Sequence, residues 1–258
     1  VADCFFNPNG VTTDFSTVAT ARTELVDQIV EVDEELMELY LEQGEDLTAD
    51  QLHAPLEKAL RENHLIPICF VSATSGVGIS ELLDIFAKLM PTPNEGNPPV
   101  FLNGKGEATE EIKLTPDPQK HALAHVFKVG IDPFVGRLGI FRIHQGTVTK
   151  DSQLFVGDAR KPFKVAHLLK LQGKDTSEID AGIPGDICAV AKIEEIHFDA
   201  VLHDSHDDDT IRMRPVNFPA PMQGLAIEAK TRGDEQKISD ALRKLEAEDP
   251  SVVIEQNH

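Results

Sequence analysis

The sequence predicts a multidomain protein in which an α/β portion precedes a β-barrel. In residues 65–90 an apolar run, a small polar loop and a helical pattern follow one another, as in an α/β sheet. After residue 120, several short β-prone segments follow one another without a helical stretch, which is typical of a barrel. The last segment has the pattern strand, helix, strand. A chain of 258 residues has room for two domains with cores of their own.

The N-terminal part is predicted to be helical. From Thr23 to Gln43 apolar residues return every three or four positions, which predicts one helix, and Gly44 suits its C-terminal cap. Thr48 and Gln51 have the spacing of a capping box. Pro55 is then expected to open a fresh helical turn.

A strand, a loop and a helix are predicted next. The run Leu65–Val71 is nearly all apolar, as expected for a strand covered on both faces of a parallel sheet. The loop Ser72–Gly78 follows directly, and Ser80 is predicted to cap a helix that ends before Pro91. Open α/β sheets bind ligands in loops at the carboxyl ends of strands, so this loop is a candidate ligand site. Many such loops are rich in Ser and Gly without binding anything.

Two strands around a stiff loop are predicted in LAHVFKVGIDPFVGRLGIFRIHQGTV. Pro133 fixes its own φ and favours extended geometry at Asp132, while Gly136 permits a positive φ. Phe134 and Arg137 are therefore expected at the loop tip, where they would form a docking surface. The alternative is an ordinary hairpin with a chance Phe.

Further short strands are predicted after this hairpin. They are Asp151–Val156, Lys164–Leu171 and Ile187–Ala191, the last preceded by a turn at Ile183–Asp186. Together they predict a closed barrel. Residues 91–120 are crowded with Pro, Gly, Asn and charge and are predicted to be a linker.

Charge is distributed unevenly around a formal net charge of −20. Residues 24–62 hold 13 acidic against 2 basic side chains, whereas residues 123–174 hold 9 basic against 3 acidic ones, a local excess of +6. Since attraction to phosphate is screened beyond about 10 Å at moderate salt, such a module can meet RNA while acidic segments face elsewhere. The alternative is that these are solvated residues on several faces of the barrel.

No catalytic residue is predicted. The phosphate-binding G-x-x-x-x-G-K-[ST] pattern, the guanine-reading Asn-Lys-x-Asp and the Asp-x-x-Gly motif are all missing from the sequence. The run His203–Asp209 can be interpreted as a metal site, but without fixed ligand spacing an acidic surface loop is preferred and no metal site is assigned. These residues alone are not expected to hydrolyse a nucleotide.

The setting is predicted to be reducing and cytoplasmic. Cys4, Cys69 and Cys188 are far apart and in no CxxC arrangement, which suggests neither a disulfide framework nor zinc. No apolar run reaches membrane-spanning length, and the N-terminus lacks the pattern of a signal peptide.

The final segment is predicted to be one strand–helix–strand unit. The strand Met222–Ala229 leads into the helix Asp234–Glu248, which is followed by the strand Val252–Glu255. A single unit of this kind leaves one sheet face bare, so the other half of its domain is expected to lie outside this chain.

Several stretches carry a family resemblance in register over almost the whole chain. They are TELVDQIVEVDEELMELYLEQG, VSATSGVGISELLDIFAKLMPTP, FKVGIDPFVGRLGIFRIHQGTV, AGIPGDICAV and LAIEAKTRGDEQKISDALRKLEAEDPSVVIE. In this order they resemble the helical insertion and the last guanine-nucleotide motif of the GTPase domain, the second domain and the opening of the third domain of bacterial elongation factor G and its close paralogues. The chain would then be the central portion of a longer factor.

The resemblance implies particular domains. Residues 1–93 would be the C-terminal part of a P-loop GTPase domain, 94–120 a linker, 121–214 the β-barrel, and 215–258 the first half of a ferredoxin-like third domain. The intact factor would bind GTP or GDP with Mg²⁺ and hydrolyse GTP on the ribosome, while this portion is expected to hold no cofactor alone. A release-factor or ribosome-protection GTPase is the alternative within the family. A non-enzymatic barrel that binds RNA or protein is the alternative outside it.

The resemblance also implies contact residues. The loop Ser72, Ala73 and Thr74 would hold the guanine base, chiefly through a backbone N–H. The barrel would pack on the GTPase domain through Asp132, Pro133, Phe134, Gly136 and Arg137, and would touch small-subunit ribosomal RNA through a basic face that includes Lys161 and Lys164. Neither a membrane nor DNA is an expected partner.

Overall fold

A computed structural model of the protein describes residues 4–5, 14, 16–44, 47–132 and 136–255. The chain divides into two compact units, Val1–Pro98 and Pro99–His258. Within the described ranges, no helix combines the length and the apolar character needed to cross a lipid bilayer.

The first unit is a set of helices around one apolar core. α1 packs on α2 and α3, and α3 packs on α4. The fully buried side chains of this core include Val26, Ile29, Leu47 and Leu52. The helices are α1 (Val18–Val30), α2 (Glu34–Gln43), α3 (Ala49–Arg61) and α4 (Ile79–Leu89).

Two helices replace the single helix predicted for residues 23–43, and the cause is a local cap. Asp33 has extended backbone, and its side chain accepts a hydrogen bond from the N–H of Leu36 at 2.9 Å, which starts α2 afresh. The predicted C-terminal cap is confirmed, because Gly44 adopts a φ of 69° directly after α2.

The predicted capping box of α3 is confirmed. The N–H of Gln51 donates to Thr48 Oγ1 at 3.3 Å, and the N–H of Thr48 donates to Gln51 Oε1 at 2.8 Å. The expectation that Pro55 opens a separate turn is wrong. α3 continues through Pro55, whose ring is buried against the core together with Leu56.

Residues 65–71 do not form the predicted strand. Leu65 is buried, whereas Ile66 and Ile68 are each 78% exposed. None of the sheets in the described part of the chain includes this segment. An apolar run becomes a strand only when neighbouring strands supply hydrogen-bond partners, and the described residues of this unit supply none. The helix that follows is capped by the backbone of Gly78, with no side-chain cap, rather than by Ser80 as predicted.

The second unit is mainly β-structure. Short 3-10 turns occupy Gly106–Ala108, His206–Asp208 and Arg232–Asp234. The strands are β1 (Phe101–Asn103), β2 (Glu110–Ile112), β3 (Leu123–Asp132), β4 (Gly136–Gln145), β5 (Val148–Thr149), β6 (Gln153–Val156), β7 (Phe163–Lys164), β8 (Leu168–Gln172), β9 (Asp175–Glu178), β10 (Ala181–Gly182), β11 (Ile187–Ala191), β12 (Val201–His203) and β13 (Arg212–Met213).

The predicted barrel is present as a curled antiparallel sheet. Its eight strands have the order β7-β6-β12-β3-β4-β11-β8-β9, and β5 pairs with β10 in a separate ladder. Among the described residues the end strands β7 and β9 do not pair, so the sheet does not close by one continuous ladder. A backbone hydrogen bond from Lys150 N–H to Asp180 C=O, at 3.0 Å, joins the segment before β6 to the segment after β9.

The core of the barrel leaves no room at Gly182. A Cβ there would lie 2.7 Å from Ile143 Cδ1 and 2.8 Å from Cys188 Sγ. Gly130, by contrast, has open space where a Cβ would be. The buried side chains that share this core are Ala122, Ala124, Val126, Val129, Phe141, Ile143, Val148, Leu154, Val156, Val165, Leu168, Cys188, Val190, Ile196, Ala200 and Leu202.

A small second sheet has the order β13-β1-β2. Its strands β1 and β2 lie within residues 94–120, which the sequence predicts to be a linker. Although these residues have the composition of a linker, Phe101 and Ile112 pair across an antiparallel ladder and contribute to an apolar cluster.

The C-terminal segment contains α5 (Glu235–Glu248), as predicted, but not the two flanking strands. Residues 222–229 and 252–255 are extended without strand pairing, and Met222 and Leu225 are 98% and 92% exposed. The physical reason is the one that applies to residues 65–71. An isolated strand–helix–strand unit gives neither strand enough partners.

Candidate functional site

The loop Ser72–Gly78 is closed by its own backbone. The N–H of Ser72 donates to Val77 C=O at 2.9 Å, and the N–H of Gly76 donates to Ser72 C=O at 2.8 Å. Ser72 Oγ also accepts from the N–H of Ser75 at 3.4 Å. Gly76 and Gly78 have φ of 74° and 79°, which side chains rarely adopt, so the glycines make this tight shape possible.

Several backbone donors of this loop have no partner among the described residues, and those of Ala73 and Thr74 lie in the predicted base-contacting stretch. Ala73 and Thr74 are exposed, and their N–H groups donate to no atom in the part of the chain that the structure describes. The Oγ1 of Thr74 lies 3.3 Å from Ser72 Oγ. The three predicted base-contacting residues are therefore held together, with two N–H donors available to an acceptor on a ligand.

The second predicted contact region begins at the end of β3. Asp132 pairs with Gly136 across the hairpin, and Gly136 has the positive φ, 81°, that the sequence predicts for the turn. Pro133 and Phe134 lie outside the described residues. The two strands of the hairpin are confirmed.

Arg137 is not held out at the loop tip as predicted. Its side chain is only 19% exposed, its guanidinium donates to the backbone carbonyl of Glu194, and it lies 3.9 Å from the Glu194 carboxylate. Its Nε is buried and finds no partner among the described residues. Arg137 therefore fastens β4 to the segment after β11 and is not a free docking side chain.

The two predicted lysines differ in availability. Lys164 Nζ lies 2.8 Å from Asp151 Oδ1, and this partner lowers the pKa of the Asp151 carboxyl. Lys161 is exposed and forms no ion pair with the described residues, and its neighbour Arg160 is also exposed. The structure thus leaves Arg160 and Lys161, in the loop between β6 and β7, as the accessible basic pair.

The basic excess is compensated within the barrel. Residues 121–202 carry 10 basic and 10 acidic side chains, because the segment after residue 174 is rich in Asp and Glu. Glu178 illustrates the effect, since it contacts His167 and lies 3.9 Å from Lys150, and these contacts lower its pKa. A charge count over the whole module would have revealed this balance from the sequence.

The first residue of the run His203–Asp209 has a structural role. His203 is fully buried, with its ring nitrogens 2.7 Å from Ser205 O and 2.6 Å from Gly157 O. Burial raises the pKa of the Asp208 carboxyl. In the described ranges no three His, Cys, Asp or Glu side chains are arranged to hold a metal ion.

Comparison with known families gives two matches that follow one another along the chain. Residues 121–202 match the family described as Elongation factor G domain 2, and residues 218–258 match Elongation Factor G, domain III. The first match coincides with the curled sheet from β3 to β12, and the second includes α5.

Individual relatives cover nearly all of the chain. The chain is 31% identical over 233 residues to elongation factor G of Thermotoga maritima, and 31% identical over 236 residues to that of Thermotoga petrophila. In both cases the similarity covers 90% of this chain and 33% of the relative, so the chain spans about a third of the length of these relatives.

The fold agrees with this relationship. A crystal structure of a protein from Thermus thermophilus superposes with a TM-score of 0.70 and 28% identity, covering 98% of this chain and 37% of the other. The resemblance noted in the sequence is thus confirmed by the family matches, the relatives and the fold. Residues 121–202 and 218–258 thus match two successive domains of elongation factor G, and the chain is similar to elongation factor G proteins over 90% of its length.

Proposed function

We propose that this chain is the central part of a cytoplasmic factor that hydrolyses GTP on the ribosome to drive translocation or a related step of protein synthesis. The observation that carries the proposal is the succession of a domain 2 match and a domain III match on the corresponding β-structure and helix. The proposed domains are residues 1–93 as the end of the GTPase domain, 94–120 as a linker, 121–214 as the barrel and 215–258 as the start of the third domain.

In the intact factor, Ser72, Ala73 and Thr74 would form one side of the guanine pocket. Guanine presents a carbonyl oxygen where adenine presents an amino group. A backbone N–H at that position can therefore donate a hydrogen bond to guanine but not to adenine. The N–H groups of Ala73 and Thr74 are exposed and donate to no described atom, which supports this assignment. Ser72 would hold the loop in shape through its two backbone hydrogen bonds.

The residues that the structure describes do not form a magnesium site. Mg²⁺ in a GTPase neutralises charge on the phosphates that undergo transfer. The described residues offer no convergent set of ligands, so no magnesium ligand and no phosphate-contacting residue is assigned here. The role proposed for this portion is to read the base.

The barrel is proposed to contact small-subunit ribosomal RNA through the loop between β6 and β7. Basic side chains bind RNA by neutralising phosphates and releasing the counterions condensed on them, which requires side chains that solvent can reach. Arg160 and Lys161 are exposed and meet that requirement. Lys164 would contribute less, because its charge is already opposed by Asp151. The turn from Asp132 through Pro133, Phe134 and Gly136 is proposed to contact the GTPase domain of the intact factor.

The base-reading role can be tested on this chain by NMR. Guanosine should shift the amide signals of Ala73 and Thr74 with a dissociation constant of about 1 mM or weaker, because few contacts are available, and adenosine should not. Ala73→Pro, which removes the N–H, should abolish the shifts at Thr74, while Ala73→Gly, which keeps it, should retain them. Equal shifts with both nucleosides would contradict the proposal, and so would tight, magnesium-dependent binding of GTP.

A further inference from the structure

The small sheet β13-β1-β2, called the linking sheet from here on, joins two parts of the chain that are far apart in sequence. β1 and β2 precede the first barrel strand, whereas β13 follows the last one. β1 lies in the middle, so that Phe101 pairs with Ile112 on one side and Met213 on the other. The segment that enters the barrel and the segment that leaves it therefore share one set of backbone hydrogen bonds.

Side chains reinforce this connection from the exit side. Arg212 reaches across β1, donating to the carbonyl of Gly104 and to Thr109 Oγ1, the latter at 2.9 Å. Thr210 Oγ1 donates to Asn103 Oδ1 at 2.5 Å. Each of these bonds joins a residue of the exit segment to the hairpin that β1 and β2 form.

The linking sheet also rests on the barrel where the barrel begins and ends. Phe101, Ile211 and Met213 are buried together with Leu123, the first residue of β3, and Val201, the first residue of β12. Because β1 and β13 share this apolar contact with β3 and β12, neither β1 nor β13 can move alone without exposing buried apolar surface.

The turn between β1 and β2 is too tight to absorb a displacement. Gly104 has a φ of 98°, and a Cβ at this position would lie 2.2 Å from the carbonyl oxygen of Ala108. We propose that the linking sheet is a mechanical relay, in which a displacement of the segment entering the barrel is transmitted through β1 to β13 and so to the segment that leads toward α5. This inference goes beyond the proposed function and does not depend on nucleotide or ribosome binding.

Hydrogen exchange on the whole chain tests the relay in both directions. Gly104→Ala disturbs the entry side, and the amides of residues 210–214 on the exit side should then exchange at least about fivefold faster. Arg212→Ala disturbs the exit side, and the amides of residues 101–103 should respond by a similar factor, because coupling between two sites is reciprocal. The amides of β4 serve as an internal reference and should change less than about twofold.

Gly173→Ala is the matched control. Gly173 also has a positive φ, 61°, but a Cβ there would meet nothing within 4 Å, and its turn joins β8 to β9. This variant should leave residues 210–214 unchanged. If Gly104→Ala lowers the protection of β4 as well, the milder Asn103→Ala replaces it. The relay would be overturned if Gly104→Ala speeds exchange only on the entry side, or if Arg212→Ala speeds exchange only on the exit side.

Discussion

His144 should make the stability of the barrel depend on pH. This residue of β4 is only 7% exposed, its ring meets Phe101 edge-on with centroids 4.9 Å apart, and its Nε2 has no hydrogen-bond partner among the described residues. Burial lowers the pKa of His144 to about 4, and the nearby His125 and Arg142 act in the same direction. His125 in turn lies 3.1 Å from Asp199.

The size of the effect follows from the two pKa values of His144. The ordinary value is 6.5 and the folded value is about 4. Because the unfolded chain takes up the proton first, the folded state loses stability as pH falls from 6.5 toward 4 and keeps it above 6.5. At 1.36 kcal/mol per pKa unit, the loss from this one residue is about 3 kcal/mol when the window has been crossed, and slightly less at about pH 4.5.

The variant His144→Phe removes the titrating group and keeps an aromatic ring beside Phe101. The free energy of unfolding should be measured at about pH 7.5 and about pH 4.5 from exchange of the β4 amides in urea, which isolates the barrel from the other unit. The original protein should lose about 2–3 kcal/mol more than the variant between these conditions. Equal losses in the two proteins would refute the reasoning, because His144 would then titrate in the folded state as it does in the unfolded chain.

The remaining predictions concern packing and capping. Gly182→Ala should destabilise the barrel by about 1–3 kcal/mol, because its Cβ would overlap core side chains. Gly130→Ala, where a Cβ meets open space, should change the free energy of unfolding by less than about 0.5 kcal/mol. Urea unfolding followed by amide exchange compares the two variants, and equal effects would contradict the packing described at Gly182. Thr48→Ala should destabilise the first unit by about 1 kcal/mol through loss of the bonds with Gln51, whereas Ser80→Ala should be nearly neutral because Ser80 caps no helix. Thermal unfolding measured by circular dichroism checks this pair, and a larger effect at Ser80 would restore the cap predicted from the sequence.

The elements that can be predicted from the sequence are those whose stabilising interactions are local. The capping box of Thr48 and Gln51 lies within one helical turn, and the hairpin of β3 and β4 joins strands that are adjacent in the chain. The turn at Ile183–Asp186 is likewise closed by its own residues, with Asp186 N–H donating to Ile183 C=O at 3.0 Å. In each case the residues that form the element also contain its hydrogen-bond partners.

The elements that the sequence does not predict correctly depend on distant partners. The apolar residues of 65–71 and 222–229 have the composition of strands, but no described strand pairs with them. The pairing of β1 with β13 joins residues that are more than 100 positions apart, and local patterns contain no signal for it. The local pattern puts Arg137 at the surface because its partner Glu194 lies far along the chain.

In the candidate site, too, local features can be predicted from the sequence and features that depend on distant neighbours cannot. Gly76 and Gly78 indicate a tight loop after Val71, so its existence and small polar character are visible in the sequence. Which N–H groups the loop uses for its own closure, and which remain free, depends on backbone geometry that composition does not specify. The same holds for the basic surface, where the availability of Lys161 and the pairing of Lys164 depend on neighbours in space.

Binding to small ribosomal subunits tests the central claim most directly. Co-sedimentation of this chain should weaken steeply as salt rises from about 50 to about 200 mM, and the double variant Arg160→Glu/Lys161→Glu should weaken binding and reduce the salt slope by about two. The double variant Arg243→Glu/Lys244→Glu changes an exposed Arg-Lys pair on α5 in the same way and is the matched control, with the slope expected to stay as it was. Binding that ignores salt, or that falls equally in both double variants, would contradict the assignment of the β6–β7 loop as the ribosome contact.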